Sequence, residues 1–190
     1  RPNETAERCA PYMVTNTDGD KDGDPWAQTL LAHEFTHASQ FAYNVFWEED
    51  DWWYWESTAE WSIELPYPDA NTWTYSLWSY LSAPNLALDS DTGYVNYGHF
   101  TLNVYFQENV SEDAPLQIWE AATPATDVAG AFAAAFGEDL TAHLPAYTSR
   151  VAAMDFADRQ VWLDTLIEFE VDPYLKRVEK YPARGEVTGY

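Results

Sequence analysis

The sequence predicts a mainly α fold, α+β in class, with most of the chain in helices and a small N-terminal edge strand or sheet. Three observations lead there. Apolar residues make up 46% of the 190 residues and aromatics 17%, enough for one packed core. Long segments carry apolar side chains at three- and four-residue spacing, bounded by Asp, Pro and Gly. One short run, Pro11-Tyr12-Met13-Val14-Thr15, has the β-prone composition of an edge strand.

The elements follow in order. Asp24 is a natural N-cap and Pro25 suits the first helical position, so a helix is expected from Trp26 to about Phe46. Trp26, Leu30, His33, His37 and Phe41 share one face of it. After an acidic break at residues 47–51, a second helix is expected from Trp52 to about Leu65, ended by Pro66. Trp73–Leu81 is an aromatic helical stretch, and Tyr97–Glu108 predicts another helix. Leu116–Ala122, Val128–Phe136 (stopped by Gly137) and Leu140–Met154 complete a helical C-terminal subdomain. Val171–Tyr190 mixes charge, Pro and alternating apolar residues. Residues 1–158 therefore read as one domain, and 159–190 as a C-terminal extension or linker toward a further domain.

Nine Lys and Arg against 32 Asp and Glu give a formal net charge of −23. That field repels nucleic acid and anionic membrane surfaces, which excludes both as expected partners. No apolar run approaches the roughly 20 residues of a membrane span. Cys9 is the one cysteine, so neither a disulfide framework nor a Cys-rich metal cluster is available. Arg1 is followed by no basic or apolar leader, and the chain reads as a segment of a longer precursor.

The chemistry concentrates in His33-Glu34-Phe35-Thr36-His37. Two histidines four apart on a helix project from one face about one turn apart, as two zinc ligands must. Glu34 lies beside them, within reach of a water held by the metal, and is the expected general base. A third ligand is needed if one position is to stay open for water. Eighteen residues after His37 comes Glu56, within Trp55-Glu56-Ser57-Thr58-Ala59-Glu60-Trp61. Glu56 and Glu60 lie one turn apart on the second helix. One can bind the metal while the other accepts the N–H of a ligand imidazole and fixes its tautomer. Acidic residues on a helix are usually a wet face, but these sit among Trp52, Trp53, Trp55 and Trp61, where an idle carboxylate would be costly.

This arrangement resembles the gluzincin metallopeptidases, with the ligand spacing of the aminopeptidase N-like enzymes. It is also similar to bacterial secreted metallopeptidase-like proteins with HEFxHAxQ followed by W-x-E-x-x-A-x-W. Here those segments are His33-Glu34-Phe35-Thr36-His37-Ala38-Ser39-Gln40 and Trp53–Trp61. The resemblance is tight over residues 29–61 and looser across 11–150. It implies a zincin-like domain in which an active-site helix and a glutamate helix carry the metal. It further implies Zn2+ on His33, His37 and Glu56, Glu60 behind a ligand, Glu34 as base, and a peptide or protein substrate at a secreted or cell-surface location. An oxyanion donor is implied too, but the family's Tyr, three residues before a Gly, corresponds to Val95 before Gly98. Tyr97 and His99 are the nearest donors, with Tyr94 behind them, and Tyr97 is preferred. An edge strand at Pro11–Thr15 would orient an extended peptide by pairing with it.

Two other readings use the same residues: a non-peptidase zinc amide or ester hydrolase, and an inactive zincin-like binding domain. Retention of Glu34 speaks against the second. Asp18, Asp20, Asp22 and Asp24 form an acidic loop that is a candidate Ca2+ site of irregular type, or simply a solvated turn. It is no EF-hand, because position twelve from Asp18 is Thr29. His143 reads as structural, and all but one or two of the ten Trp residues as core.

Overall fold

The computed structural model describes residues 13, 25–43, 45–46, 51–83, 86–90 and 92–168. The expected edge strand, the acidic loop Asp18–Asp24, Cys9 and the tail from 169 lie outside them, apart from Met13, which has no regular structure. Among the described residues there are nine α-helices and no strand: α1 (Pro25–Tyr43), α2 (Trp52–Ser62), α3 (Thr74–Ser82), α4 (Val95–Gly98), α5 (Phe100–Asn109), α6 (Ala114–Ala121), α7 (Val128–Phe136), α8 (Leu140–Ala153) and α9 (Arg159–Glu168). The expectation of a mainly helical chain is met. No described helix is long and apolar enough to cross a membrane.

Helix α2 is the centre of the structure. Trp53, Tyr54, Trp55 and every residue from Ser57 to Ser62 are buried, so it is enclosed on nearly all sides, with α1, α4 and α5 packed against it. Such burial demands partners for the indole N–H groups. Trp55 donates to the Phe46 carbonyl at 2.9 Å, Trp61 to Gln107 Oε1 at 3.0 Å, and Trp119 of α6 to Thr58 Oγ1 at 3.2 Å.

Helix α1 docks on α2 through polar groups. Its buried residues are Thr29, His33 and Gln40, which fall within a narrow arc of the helix. Thr36 Oγ1 meets Ser62 Oγ at 2.6 Å, a direct tie between the two helices. This corrects the expected apolar stripe: Trp26 is 60% exposed, Leu30 46% and Phe41 48%. The seam against α2 is centred on the histidine line, so the flanking apolar residues fall beside it.

The predicted helix 97–108 is two helices, α4 and α5, with a turn at His99. Gly98 accounts for the close approach of α4 to α3. A Cβ there would lie 2.3 Å from Tyr80 Cβ and 2.6 Å from the Ser76 carbonyl oxygen, so only Gly lets α4 lie this close to α3. The second helix stops at Ser62 and continues as turns through residue 66, short of the expected Leu65. Local signals fix α7 well: Asp127 Oδ1 accepts from Gly130 N at 2.7 Å, and Gly137 closes it at φ 71°.

Residues 159–168, expected to open the extension, form α9. Its Trp162 and Leu166 are buried in the same cluster as Trp73, Phe100 and Phe156. Of the tryptophans, Trp26, Trp52 and Trp78 are exposed, one more than the most expected; Trp53, Trp55, Trp61, Trp73, Trp119 and Trp162 are core. His143 packs beside Phe132 and Tyr105 and bonds Glu138 at 2.9 Å, a structural position as expected.

Candidate metal centre

The α1–α2 seam brings His33, His37 and Glu56 together. His33 Nε2 and His37 Nε2 are 3.0 Å apart, and Glu56 Oε2 is 3.2 Å from the first and 3.4 Å from the second. The three residues form a His-His-Glu group that could hold a metal ion. A tetrahedral ion with bonds of about 2.0–2.1 Å needs donors about 3.3–3.4 Å apart. The observed triangle, with edges of 3.0, 3.2 and 3.4 Å, is slightly tighter than that and close to it.

The groups behind the ligands set their chemistry. His33 Nδ1 faces Glu60 Oε2 at 3.2 Å, and Glu60 Oε1 accepts from Ser76 Oγ at 2.7 Å. His37 Nδ1 faces Gln40 Oε1 at 2.7 Å. The Gln40 amide cannot turn round, because its nitrogen donates to the Trp55 carbonyl at 3.0 Å and to Thr58 Oγ1 at 2.9 Å. Each imidazole therefore has an acceptor at Nδ1. Protonated there, both rings turn an Nε2 lone pair toward the same point as a carboxylate oxygen. Three electron-rich atoms crowded this closely repel one another unless a cation sits among them.

The same crowding shows in the proton affinities. Burial by itself would keep His33 neutral, yet contacts with Glu56 and Glu60 outweigh it and raise the ring to about 9. Burial would likewise raise Glu56, but His33 and His37 outweigh it and bring the carboxyl down to about 2. Without a metal, the cluster holds a proton instead.

A cleft of about 280 Å³ reaches the cluster from the side of His33 and Glu60, lined also by Glu34, Tyr97, Trp26 and Leu30, whereas His37 and Glu56 do not line it. Glu34 is exposed, on the same helix as the two histidines, and borders the cleft. Tyr97 stacks on the His33 ring at 5.6 Å between centroids. Burial, with the negative charges of Glu56, Glu60 and Glu34 added, pushes its phenol well above the usual range, so it stays an O–H donor. Tyr94 packs on Tyr97 and also lines the cleft.

His99 is elsewhere. It is 1% exposed, wedged between Trp53 and Tyr80, and burial lowers its ring to about 4. It does not line the cleft, which sets it apart from Tyr97 as a donor candidate. Two residues apart on a helical path, the two side chains project to opposite sides. Gln40 is the residue that sequence reasoning passed over as a functional group. Its signal was present, since it stands three positions after His37, where a helix brings side chains together.

No family profile, curated protein or solved structure matches this chain, so the reading of its site rests on the geometry above.

Proposed function

We propose that this chain is a zinc-dependent metallopeptidase of gluzincin type, hydrolysing peptide bonds with Glu34 as general base. The observation that carries this reading is the convergence of His33 Nε2, His37 Nε2 and Glu56 Oε2, with Glu60 and Gln40 behind the histidines. Two imidazole nitrogens and one carboxylate oxygen suit zinc, whereas calcium and magnesium take oxygen ligands. Three protein ligands are the pattern of a catalytic site, which keeps one position open.

His33, His37 and Glu56 would hold the zinc ion, which would supply Lewis acidity and an activated water. Glu34, at the cleft, takes the proton of the attacking water and delivers it to the leaving amine. Tyr97, held neutral, donates its O–H to the carbonyl oxygen as negative charge develops on it. Glu60 and Gln40 keep the two imidazoles in register through the cycle. The zincin-like arrangement of a base-bearing helix beside a glutamate helix belongs to the same proposal.

A Glu34→Gln variant tests it. Zinc content should match the parent, while cleavage of a fluorogenic peptide library should fall by about 10²–10⁴-fold. Undiminished cleavage would remove Glu34 from its role, and cleavage that survives 1,10-phenanthroline would end the metal-dependent reading.

A further inference from the structure

We propose that the groove between α1, α2 and α6 is a docking site for a cationic peptide segment that inserts an apolar side chain. The groove encloses about 360 Å³ and, among the described residues, shares no lining residue with the metal cleft. Its walls are apolar and open: Leu65 is 63% exposed, Leu116 45% and Tyr43 39%, with Trp61 and Trp119 beneath. Apolar side chains left accessible in one concave patch are the signature of a binding surface.

Charge identifies the occupant. Glu112 and Asp113, both exposed, stand on the groove, and among the described residues no Lys or Arg lines it. Among the described residues the only Lys or Arg are Arg150 and Arg159, and Arg150 pairs with Glu108 at 2.6 Å. With a formal net charge of −23, the chain repels an anionic partner and attracts a cationic one. The exposed face of Tyr43 also suits the stem and charged head of Lys or Arg.

The inner wall offers little polar recognition, because its polar groups are committed. Gln40 bonds to His37, Trp55 and Thr58, and Thr58 Oγ1 also accepts from Trp119. An apolar anchor therefore fits the floor, with the positive charge at the rim. The inference is independent of the metallopeptidase reading, since it uses none of the metal ligands.

The test uses the full chain carrying Glu34→Gln, so that no probe is cut. Two fluorescein-labelled nonapeptides share a central Leu-Phe pair, one flanked by Lys and the other by Glu. Fluorescence anisotropy should show the Lys peptide binding more tightly by about tenfold or more, and more weakly as salt rises from ~50 to ~500 mM. Leu116→Glu and Glu112→Lys, each at an exposed position, should each weaken it about fivefold or more. Binding should persist with 1,10-phenanthroline present. Equal binding of the two peptides, no binding of the Lys peptide, indifference to both substitutions, or loss on chelation (which would put the peptide in the metal cleft) each overturn the proposal.

Discussion

Replacing Gln40 by Ala separates a metal site built by the fold from a chance meeting of histidines. Gln40 is 3% exposed and touches no metal position, yet its Oε1 is the acceptor for His37 Nδ1 at 2.7 Å. Without it, the His37 ring is free to turn and to carry its proton on Nε2, the atom that must be bare to bind. Loss of such a partner weakens metal affinity by about 10–100-fold, or about 1.4–2.8 kcal/mol. The fold should weaken as well, because the Trp55 carbonyl loses a donor in a buried setting, at a cost of about 1–3 kcal/mol. Competition against a chromophoric chelator at pH 7.5 reads the first effect, and urea unfolding of the metal-free protein reads the second. Thr36→Ala is the control: it breaks the 2.6 Å tie to Ser62 on the same helix but leaves both imidazoles their partners. It should cost about 1 kcal/mol of stability and leave metal affinity alone. A folded Gln40→Ala protein that binds zinc within about twofold of the parent would refute the argument, because 0.4 kcal/mol or so is too little for the lost partner.

Three further outcomes are expected. Tyr97→Phe keeps the stack on His33 but removes the O–H, so kcat should drop about 10²–10³-fold with zinc content unchanged; a drop confined to KM would count against its role. Glu64, raised to about 7 by burial with Asp158, Asp69 and Glu60 adding to it, makes stability fall as pH rises. Below its ordinary 4.5 the carboxyl is protonated in both states, and between 4.5 and about 7 the unfolded chain releases the proton that the native state keeps. Glu64→Gln should therefore raise Tm relative to the parent at pH 8 and leave it level at pH 4, and a gain of equal size at both would contradict the assignment. Trp162→Ala should cost about 3–5 kcal/mol in urea unfolding, since α9 plugs the core beside Trp73 and Phe100; a cost near zero would mean that α9 is dispensable to the domain.

The sequence by itself determined the features written in short-range chemistry. Helix α7 was legible because Asp127 and Gly137 act within a turn of its ends, through a cap and a left-handed residue. The four-residue step from His33 to His37, and that from Glu56 to Glu60, read directly as shared helix faces, because 3.6 residues per turn leave no other option. Tertiary structure alone decided what depends on two segments meeting. The buried arc of α1 is Thr29, His33 and Gln40 because α2 approaches from that side, and the exposed Trp26, Leu30 and Phe41 show that apolar periodicity could not choose it. Tyr97 and His99, two residues apart, had to project to opposite sides of a helical path, but only the close approach of α4 to α3 at Gly98 decided that Tyr97 takes the cleft and His99 the core. Gln40 became a site residue only when Trp55 and Thr58, from another helix, fixed which end of its amide meets His37. Spacing along one helix fixes direction, whereas contact between helices depends on how side chains far apart in the chain fill space together, and no local pattern records that.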